Sequence, residues 1–276
     1  MESIQQRAAA FERDLDRRQL RANGHDWSYY LGGQGIPVLL LPGGAGIAIS
    51  WLDLTPALLP DFTVLTADYP ATATSFDELA DGLIAVLDAE HIESVHLIGQ
   101  SAGGMLAEVL SRRAPRRIES IVFTGTGLYG PEDIERLKTR VAATESTPWE
   151  QTRAAARQAL RAAWRDSAEA EFWVGQVDAA YDRAGRQGSA NALRWLLDLA
   201  ERLPELQQQP PWQGPTLIVR SDDDPLITET HTGRLRALHP HTEFEAFPTG
   251  GHSLLVTRPA DYAAVVTGFL RRRTTG

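Results

Sequence analysis

Short apolar runs alternate with helical segments along most of the chain, and this alternation limits the fold more than any other feature. Ser75 and Glu78, for example, form a capping box at the start of a helical pattern, SFDELADGLIAVLDAEH. Strands that alternate with such helices form a mostly parallel sheet with helices on both faces. The sequence therefore predicts an α/β fold. The predicted strands are WSYYL, PVLLL, FTVLTA, SVHLI, RIESIVFTG, PTLIVR and TEFEAF.

The alternation is interrupted between Pro131 and about Leu206, where helical patterns rich in Ala, Arg and Glu contain no strand candidate. It resumes at PTLIVR. We therefore predict one core, made of residues 26–130 and 207–276, with residues 131–206 inserted as a helical lid. Residues 1–25 are amphipathic, and we predict that they form an N-terminal helical extension.

Composition excludes several classes of function. The net charge of −9 and the pI of about 5.3 argue against nucleic acid as a partner. The absence of cysteine excludes disulfides and thiolate metal sites. The chain has neither the apolar core of a secretory signal nor a run approaching the roughly 18 apolar residues of a membrane span. We expect a cytoplasmic protein that acts on a small molecule without a metal or an organic cofactor.

The sequence HLIGQSAGGML places Ser101 between Gly99 and Gly103, after a predicted strand and before a predicted helix. Glycine inside such elements costs roughly 0.5–1 kcal/mol relative to alanine, so these positions must need the missing side chains. One interpretation is that the glycines only allow tight packing of strand against helix. The pattern is also typical of a nucleophile elbow, a sharp turn that holds a serine at the C-terminal edge of a sheet. It predicts Ser101 as a nucleophile.

A serine nucleophile needs a base and a carboxylate that orients the base, and in this architecture they follow in the order serine, acid, histidine. His252 lies in the glycine-flanked loop PTGGHSLL after the last predicted strand, and we predict that it is the base. The other six histidines are predicted to be structural. Three candidates for the acid follow the strand PTLIVR, and the residues alone do not decide among Asp222, Asp223 and Asp224.

The segments IPVLLLPGG, GQSAG, SDDDP and GGHSLL together resemble the α/β-hydrolase superfamily, from Trp27 onward. The resemblance implies the α/β-hydrolase fold. In that family the acid typically follows its strand as G-x-x-D, which makes Asp224 the matching residue, although Ser221 replaces the glycine. The loop LLLPGGAG resembles the family's HGGPG-like loop, which implies an oxyanion hole formed by the backbone N–H groups of Gly44 and Ala102.

Two features depart from the family pattern. Pro42 stands where histidine is common, so the hydrogen bonds that shape its loop must differ. After the strand FTVLTA, the shorter DYPATATS replaces D-x-x-G-x-G-x-S. The same features resemble the maspardin branch of the superfamily, which keeps a non-catalytic binding protein open as an alternative.

The predicted lid carries two patterns that bear on the substrate. Its tryptophans either hold the helices together or form an apolar ceiling over the serine, and the ceiling predicts a hydrophobic acyl or alcohol group. Its arginines at a spacing of four form a stripe that is either solvated or meets a phosphate or an acidic carrier protein, so an acyl-carrier-bound substrate stays open. These residues are Trp149, Trp164, Trp173 and Trp195, and Arg153, Arg157, Arg161 and Arg165.

The function predicted from these observations is hydrolysis of a carboxyl ester or thioester with a hydrophobic group, through an acyl-enzyme on Ser101. His252 serves as the base and Asp224 as the orienting acid. An acyltransferase or cyclase that uses the same triad is the first alternative, and the binding protein is the second.

Overall fold

The structure, a computed structural model, describes residues 2–274 and is organised around an eight-stranded sheet. The strands lie in the order β1-β2-β4-β3-β5-β6-β7-β8. β2 runs antiparallel to both of its neighbours, and every later pair in this order is parallel. The strands are β1 (Asp16–Ala22), β2 (His25–Gly33), β3 (Ile36–Leu41), β4 (Phe62–Asp68), β5 (Val95–Gln100), β6 (Ile118–Thr124), β7 (Thr216–Ser221) and β8 (Glu243–Phe247).

Helices cover both faces of this sheet. No helix within residues 2–274 is both long and apolar enough to cross a membrane. The α-helices are α1 (Ile4–Asp14), α2 (Thr55–Leu58), α3 (Phe76–Ala89), α4 (Ala102–Arg113), α5 (Pro131–Ser146), α6 (Trp149–Ala163), α7 (Ala170–Glu201), α8 (Leu203–Gln208), α9 (Glu229–Leu238), α10 (Leu254–Thr257) and α11 (Pro259–Thr274). Short 3-10 helices span Ala48–Trp51 and Pro115–Arg117.

The core consists of two apolar clusters, one on each face of the sheet. Successive residues of a buried strand alternate between them: Leu39 and Leu41 belong to one cluster, and Val38 and Leu40 belong to the other. All four side chains are fully buried. This two-sided burial explains why β3 reads as a continuous apolar run, as is typical of central strands in parallel sheets.

The N-terminal segment differs from the prediction of a helical extension over residues 1–25. The helix α1 ends at Asp14, and β1 then pairs along its whole length with β2, from Asp16 opposite Leu31 to Ala22 opposite His25. β1 is an edge strand whose charged residues are largely exposed, so it lacks the apolar alternation of a half-buried strand. The turn at Asn23-Gly24, where both residues have positive φ, was the available hairpin signal.

The chain between β6 and β7 forms the four helices α5 to α8, which we call the inserted helices. They begin at Pro131 and end at Gln208, two residues beyond the predicted boundary. The long helix α7 is kinked at Gly185, whose φ of +63° is outside the helical range. The kink divides α7 into two halves that pack against α6 and α5.

Candidate active site

Ser101 occupies a strained turn between β5 and α4, with φ of +54° and ψ of −120°. A Cβ atom on Gly99 would overlap the carbonyl oxygen of Gly103, and one on Gly103 would overlap the carbonyl oxygen of Leu41. Both flanking glycines are therefore required by backbone contacts. A non-glycine residue in such a conformation costs on the order of 1–3 kcal/mol, and strain of this kind is concentrated at functional sites.

The structure brings the serine, the histidine and the third aspartate of the sequence analysis into one hydrogen-bonded chain. The Nε2 atom of His252 lies 2.9 Å from Oγ of Ser101, and its Nδ1 atom lies 2.9 Å from Oδ2 of Asp224. The three residues follow β5, β7 and β8, whose C-terminal ends meet at one edge of the sheet. This is the edge at which open α/β sheets bind ligands.

The carboxylate of Asp224 is almost fully buried, with its side chain 2% exposed. Its Oδ1 atom accepts hydrogen bonds from the backbone N–H groups of Leu226 and Ile227, at 2.8 and 3.1 Å. Burial by itself would raise the pKa of Asp224, but the hydrogen bond and charge of His252 and the two backbone N–H groups lower it below its ordinary value. The carboxylate is therefore ionised at neutral pH.

The protonation of the imidazole follows from the ionised carboxylate. An ionised carboxylate can only accept hydrogen bonds, so Nδ1 of His252 must carry a proton and donate it to Asp224. In the neutral ring this leaves Nε2 as an acceptor that faces the hydroxyl of Ser101. The geometry is that of a general base next to a nucleophile.

The other two aspartates have different partners. Asp223 accepts hydrogen bonds from the hydroxyl of Ser221 and from the backbone N–H of Gly251, the residue before His252. The hydrogen bond from Ser221 is the main reason why the pKa of Asp223 is lowered. Asp222 lies 3.8 Å from Arg220 and is exposed. Only Asp224 contacts the imidazole.

The loop that contains Gly44 is held by the residues that follow β4. The hydroxyl of Tyr69 donates to the carbonyl of Pro42 at 3.1 Å, and its backbone N–H donates to the carbonyl of Gly46 at 2.8 Å. Asp68 accepts from the backbone N–H of Ala48 at 2.8 Å. These bonds shape the loop in which proline replaces the family's histidine. The departure DYPATATS contained the signal, because both residues lie in it.

Of the two residues predicted to form the oxyanion hole, one follows the serine directly in the chain and the other lines the same cavity. Gly44 lines the cavity above Ser101, and Ala102 is the first residue of α4. The elbow and the loop are in direct contact, because Gly103 packs against the carbonyl groups of Leu41 and Pro42. The loop also packs on Gln100, whose amide oxygen occupies the space that a side chain on Gly43 would need.

A cavity of about 420 Å³ opens above Ser101 and His252. It lies between the sheet edge and the inserted helices, and most of its wall is apolar. Three of the four predicted pocket tryptophans contribute to it. The apolar wall residues on the inserted helices are Trp149, Ala156, Leu160, Trp164, Trp173, Val177, Ala192, Leu193 and Leu196.

The prediction that Trp195 lines the pocket is wrong. This side chain is 3% exposed and belongs to the apolar cluster that includes α3 and α4. Its indole N–H donates to the carbonyl of Ala73 at 2.8 Å, and its ring meets that of Tyr69 edge-on, with centroids 5.9 Å apart. Trp195 therefore anchors the inserted helices to the core.

The arginine stripe on α6 faces carboxylates of α7. Arg153 and Arg157 both pair with Asp178, at 2.9 and 3.0 Å, and Arg161 pairs with Glu171 at 2.7 Å. The charges that could have met an acidic partner are thus mostly neutralised within the inserted helices. The fourth member, Arg165, lies 3.6 Å from its neighbour Asp166.

One cluster outside this site has the composition of a metal site, namely Glu132, Asp133 and His231. Its groups already have partners. His231 accepts from the backbone N–H of Thr228 through Nδ1, and its Nε2 atom lies 3.1 Å from Asp133. Glu132 pairs with Arg234. We therefore assign the cluster to the anchoring of α5 against α9.

Several polar residues that line the cavity were not singled out by the sequence analysis. No pattern distinguishes them, because the docking of the inserted helices decides which of their faces turns inward. Arg140, for example, is one arginine among many in this part of the chain. These residues are Tyr129, Arg140, Thr144, Thr152, Tyr181 and Ser189.

Comparison with known proteins agrees with this architecture. The family model described as the alpha/beta hydrolase fold matches residues 36–259. The mouse sn-1-specific diacylglycerol lipase ABHD11 is 24% identical over 202 residues, which cover 71% of this chain and 65% of the lipase. The protein of Agrobacterium fabrum that is named "Putative carbamate hydrolase RutD" is 25% identical over 240 residues, which cover 81% of this chain and 88% of its own length.

The solved structures agree in fold. A hydrolase from Pseudomonas aeruginosa PA01 superposes with a TM-score of 0.79 at 23% identity, and the match covers 92% of this chain and 98% of that protein. Because the family model spans most of the sheet and its flanking helices, the protein belongs to the α/β-hydrolase fold family and is a hydrolase.

Proposed function

We propose that this hydrolase cleaves a carboxyl ester or thioester with a hydrophobic group through an acyl-enzyme on Ser101. The observation that carries the proposal is the hydrogen-bonded chain from Ser101 through His252 to Asp224, with 2.9 Å at each step. A serine hydroxyl is a weak nucleophile at neutral pH unless a positioned base takes its proton. The chain supplies that base and a buried carboxylate that orients it.

The first half of the proposed reaction is acylation. Oγ of Ser101 attacks the carbonyl carbon while Nε2 of His252 takes the hydroxyl proton, and Asp224 stabilises the resulting imidazolium. The backbone N–H groups of Gly44 and Ala102 donate to the oxyanion of the tetrahedral intermediate. Each such donor contributes on the order of 3–4 kcal/mol. Collapse of the intermediate breaks the bond to the leaving alcohol or thiol, which takes the proton from Nε2.

The second half is deacylation by water. His252 takes a proton from the water that attacks the acyl carbon, and the second tetrahedral intermediate collapses to release the carboxylic acid. The proton returns to Oγ of Ser101. The same acyl-enzyme would serve an acyltransferase if an alcohol or amine replaced this water.

The cavity supports a substrate with a hydrophobic group. Its walls on α6, on α7 and on the segment between them carry three tryptophans together with leucine, valine and alanine side chains. The mouse relative is named for diacylglycerol, an ester with apolar acyl chains. In this proposal the inserted helices act as the lid above the acyl group.

The proposal is tested by labelling with a fluorophosphonate, which reacts only with an activated serine. We expect one covalent adduct at Ser101, located by peptide mass spectrometry, with release of fluoride. Ser101→Ala and His252→Ala should abolish the adduct. His241→Ala is the matched control, because it removes an exposed histidine outside the site, and it should label like the unmodified chain.

A folded protein that reacts neither with the fluorophosphonate nor with a small sulfonyl fluoride would refute the proposal. The smaller reagent is included because it can pass helices that exclude the larger one. That result would favour the non-catalytic binding protein.

A further inference from the structure

The cavity above Ser101 has an unusual distribution of charge. Among the described residues that line it, no aspartate or glutamate is present, and Arg140 on α5 is the one permanently charged side chain. Arg140 lies at the exposed rim, where α5 faces the second half of α7. A positive charge without a carboxylate beside it thus borders an otherwise apolar cavity.

Arg140 lacks the carboxylate partner that several other arginines of the inserted helices have, and it lines the cavity, whereas Arg183 and Arg186 do not. Arg136, one turn earlier on α5, pairs with Asp133, and Arg194 on α7 pairs with Glu145. Arg153 on α6 pairs with Asp178. Within residues 2–274, Arg140 makes no ion pair. In a protein with a net charge of −9, an unpaired arginine at the substrate cavity points to an anionic ligand group.

Two tyrosine hydroxyls belong to the same cavity as this charge. Tyr129 and Tyr181 line the same cavity, and burial raises the pKa of both phenols while the charge of Arg140 acts in the opposite direction. Both phenols are therefore neutral at neutral pH and can donate a hydrogen bond. Within the described part of the chain, Tyr181 has no hydrogen-bond partner, whereas the hydroxyl of Thr144 donates to the backbone carbonyl of Arg140 at 2.9 Å.

A buried hydroxyl in the wall of the cavity is also unsatisfied. Oγ of Ser189, on α7, is inaccessible to solvent and has no hydrogen-bond partner among the described residues. A buried polar group without a partner costs about 1–3 kcal/mol, and a bound ligand or water is a common explanation. The polar part of the wall thus combines one cation with several unused donors.

We propose that Arg140, together with the hydroxyl of Tyr181, forms a subsite for an anionic group on the substrate, remote from the scissile carbonyl. The substrate class is then an amphiphilic ester or thioester that carries a carboxylate or a phosphate as well as an apolar segment. This inference rests on the proposed function, because it places the reacting carbonyl at Ser101. A guanidinium binds either anion through its fixed fork of N–H groups.

The test compares two substrates that differ mainly in charge. p-Nitrophenyl hexanoate is neutral, whereas mono-p-nitrophenyl adipate carries a terminal carboxylate on an acyl chain of the same length. We expect the unmodified enzyme to have a higher kcat/KM for the anionic ester, and Arg140→Gln to reduce the ratio of the two values by about fivefold, the upper range for an exposed ion pair. An otherwise matched phosphonate-terminated ester shows whether the subsite prefers carboxylate or phosphonate.

Lys138→Gln is the matched control. It removes one positive charge from the same helix, but Lys138 is exposed, pairs with Glu135 and does not line the cavity. It should leave the ratio unchanged. Equal kcat/KM values for the two esters in the unmodified enzyme, or a preference that survives in Arg140→Gln, would overturn the subsite.

A binding measurement separates this inference from the proposed function. Calorimetry on the Ser101→Ala variant measures its affinity for monomethyl adipate and for methyl hexanoate, without any turnover. Tighter binding of the anionic ester that is lost in Ser101→Ala/Arg140→Gln supports the subsite even if the chain hydrolyses no ester. Equal binding of the two esters refutes it, whereas hydrolysis of the neutral ester would still support the catalytic proposal.

Discussion

Asp223 and Asp224 are neighbours in the chain, yet their carboxylates hold different parts of the site. Asp224 contacts the imidazole of His252, whereas Asp223 contacts the backbone of Gly251 just before it. One side chain therefore sets the orientation of the ring, and the other sets the position of its loop. At the residue scale, activity depends on these individual hydrogen bonds.

The first prediction compares three substitutions in the acidic loop. Asp224→Asn should lower kcat by about 10⁴, because an amide at this position stabilises the wrong imidazole tautomer. Asp222→Asn should have no effect, since Asp222 is exposed and does not touch the site. Asp223→Asn should lie between them. Steady-state kinetics with one ester measure all three, and equal activities would contradict the assignment of Asp224.

The second prediction concerns the loop that carries Gly44. Tyr69→Phe removes the hydrogen bond to the carbonyl of Pro42, which should let the loop move and misplace the N–H of Gly44. One hydrogen bond is worth roughly 0.5–1.5 kcal/mol, so kcat should fall by about two- to tenfold with KM nearly unchanged. Tyr29→Phe is the control, because it removes a comparable hydrogen bond that Tyr29 on β2 donates to Glu90. If Tyr69→Phe and Tyr29→Phe lowered kcat by the same factor, Tyr69 would have only a structural role.

At the scale of elements, the helix behind the nucleophile is anchored by a buried charge network. Glu108 of α4 is fully buried and contacts Arg112 and His239, each at 2.7 Å. Burial by itself would raise the pKa of Glu108, but the hydrogen bond and charge of His239 and the charge of Arg112 lower it below the ordinary 4.5. The ionised network joins α4 to the end of α9.

The third prediction follows from this network. Glu108→Ala should reduce the free energy of unfolding by about 3–5 kcal/mol at neutral pH, because it removes the carboxylate partner of the buried guanidinium of Arg112. The pKa of Glu108 is lower in the folded state, so its contribution is present above about pH 4.5 and is lost as the pH falls through the folded-state pKa. Urea unfolding at several pH values measures this, with the exposed Glu93→Ala as control. If the loss of unfolding free energy in Glu108→Ala grew as the pH fell, the stabilising role of the ionised Glu108 would be contradicted.

The fourth prediction separates two tryptophans of the inserted helices. Trp164 lines the cavity, so Trp164→Ala should shift the preference among acyl chain lengths, within the roughly 1–3 kcal/mol per methylene that pockets achieve. Trp195 lies in the core, so Trp195→Ala should reduce the free energy of unfolding by about 3–5 kcal/mol and leave that preference intact. If Trp195→Ala shifted the chain-length preference while Trp164→Ala only lowered the free energy of unfolding, both assignments would be wrong.

At the scale of the whole molecule, buried parallel strands were predictable because their apolar runs leave no alternative to burial on both faces. β1 was not, since an edge strand with exposed arginines resembles a charged helix in sequence. Ser101 and His252 were predictable from their glycine-flanked loops. The contact between Tyr69 and Pro42, and the different surroundings of Trp164 and Trp195, depend on how distant segments pack, and a local pattern does not encode that.

The inserted helices leave the sheet after β6 and return to it at β7, and these strands are paired neighbours. Because the two strands are parallel, the chain leaves β6 at one edge of the sheet and enters β7 at the opposite edge, so the whole segment is one crossover connection. The helices of such a connection can change while both strands keep their places in the sheet. Evolution or an engineer can replace them with another helical segment without moving Ser101, Asp224 or His252, so the choice of substrate can diverge while the chemistry is inherited unchanged.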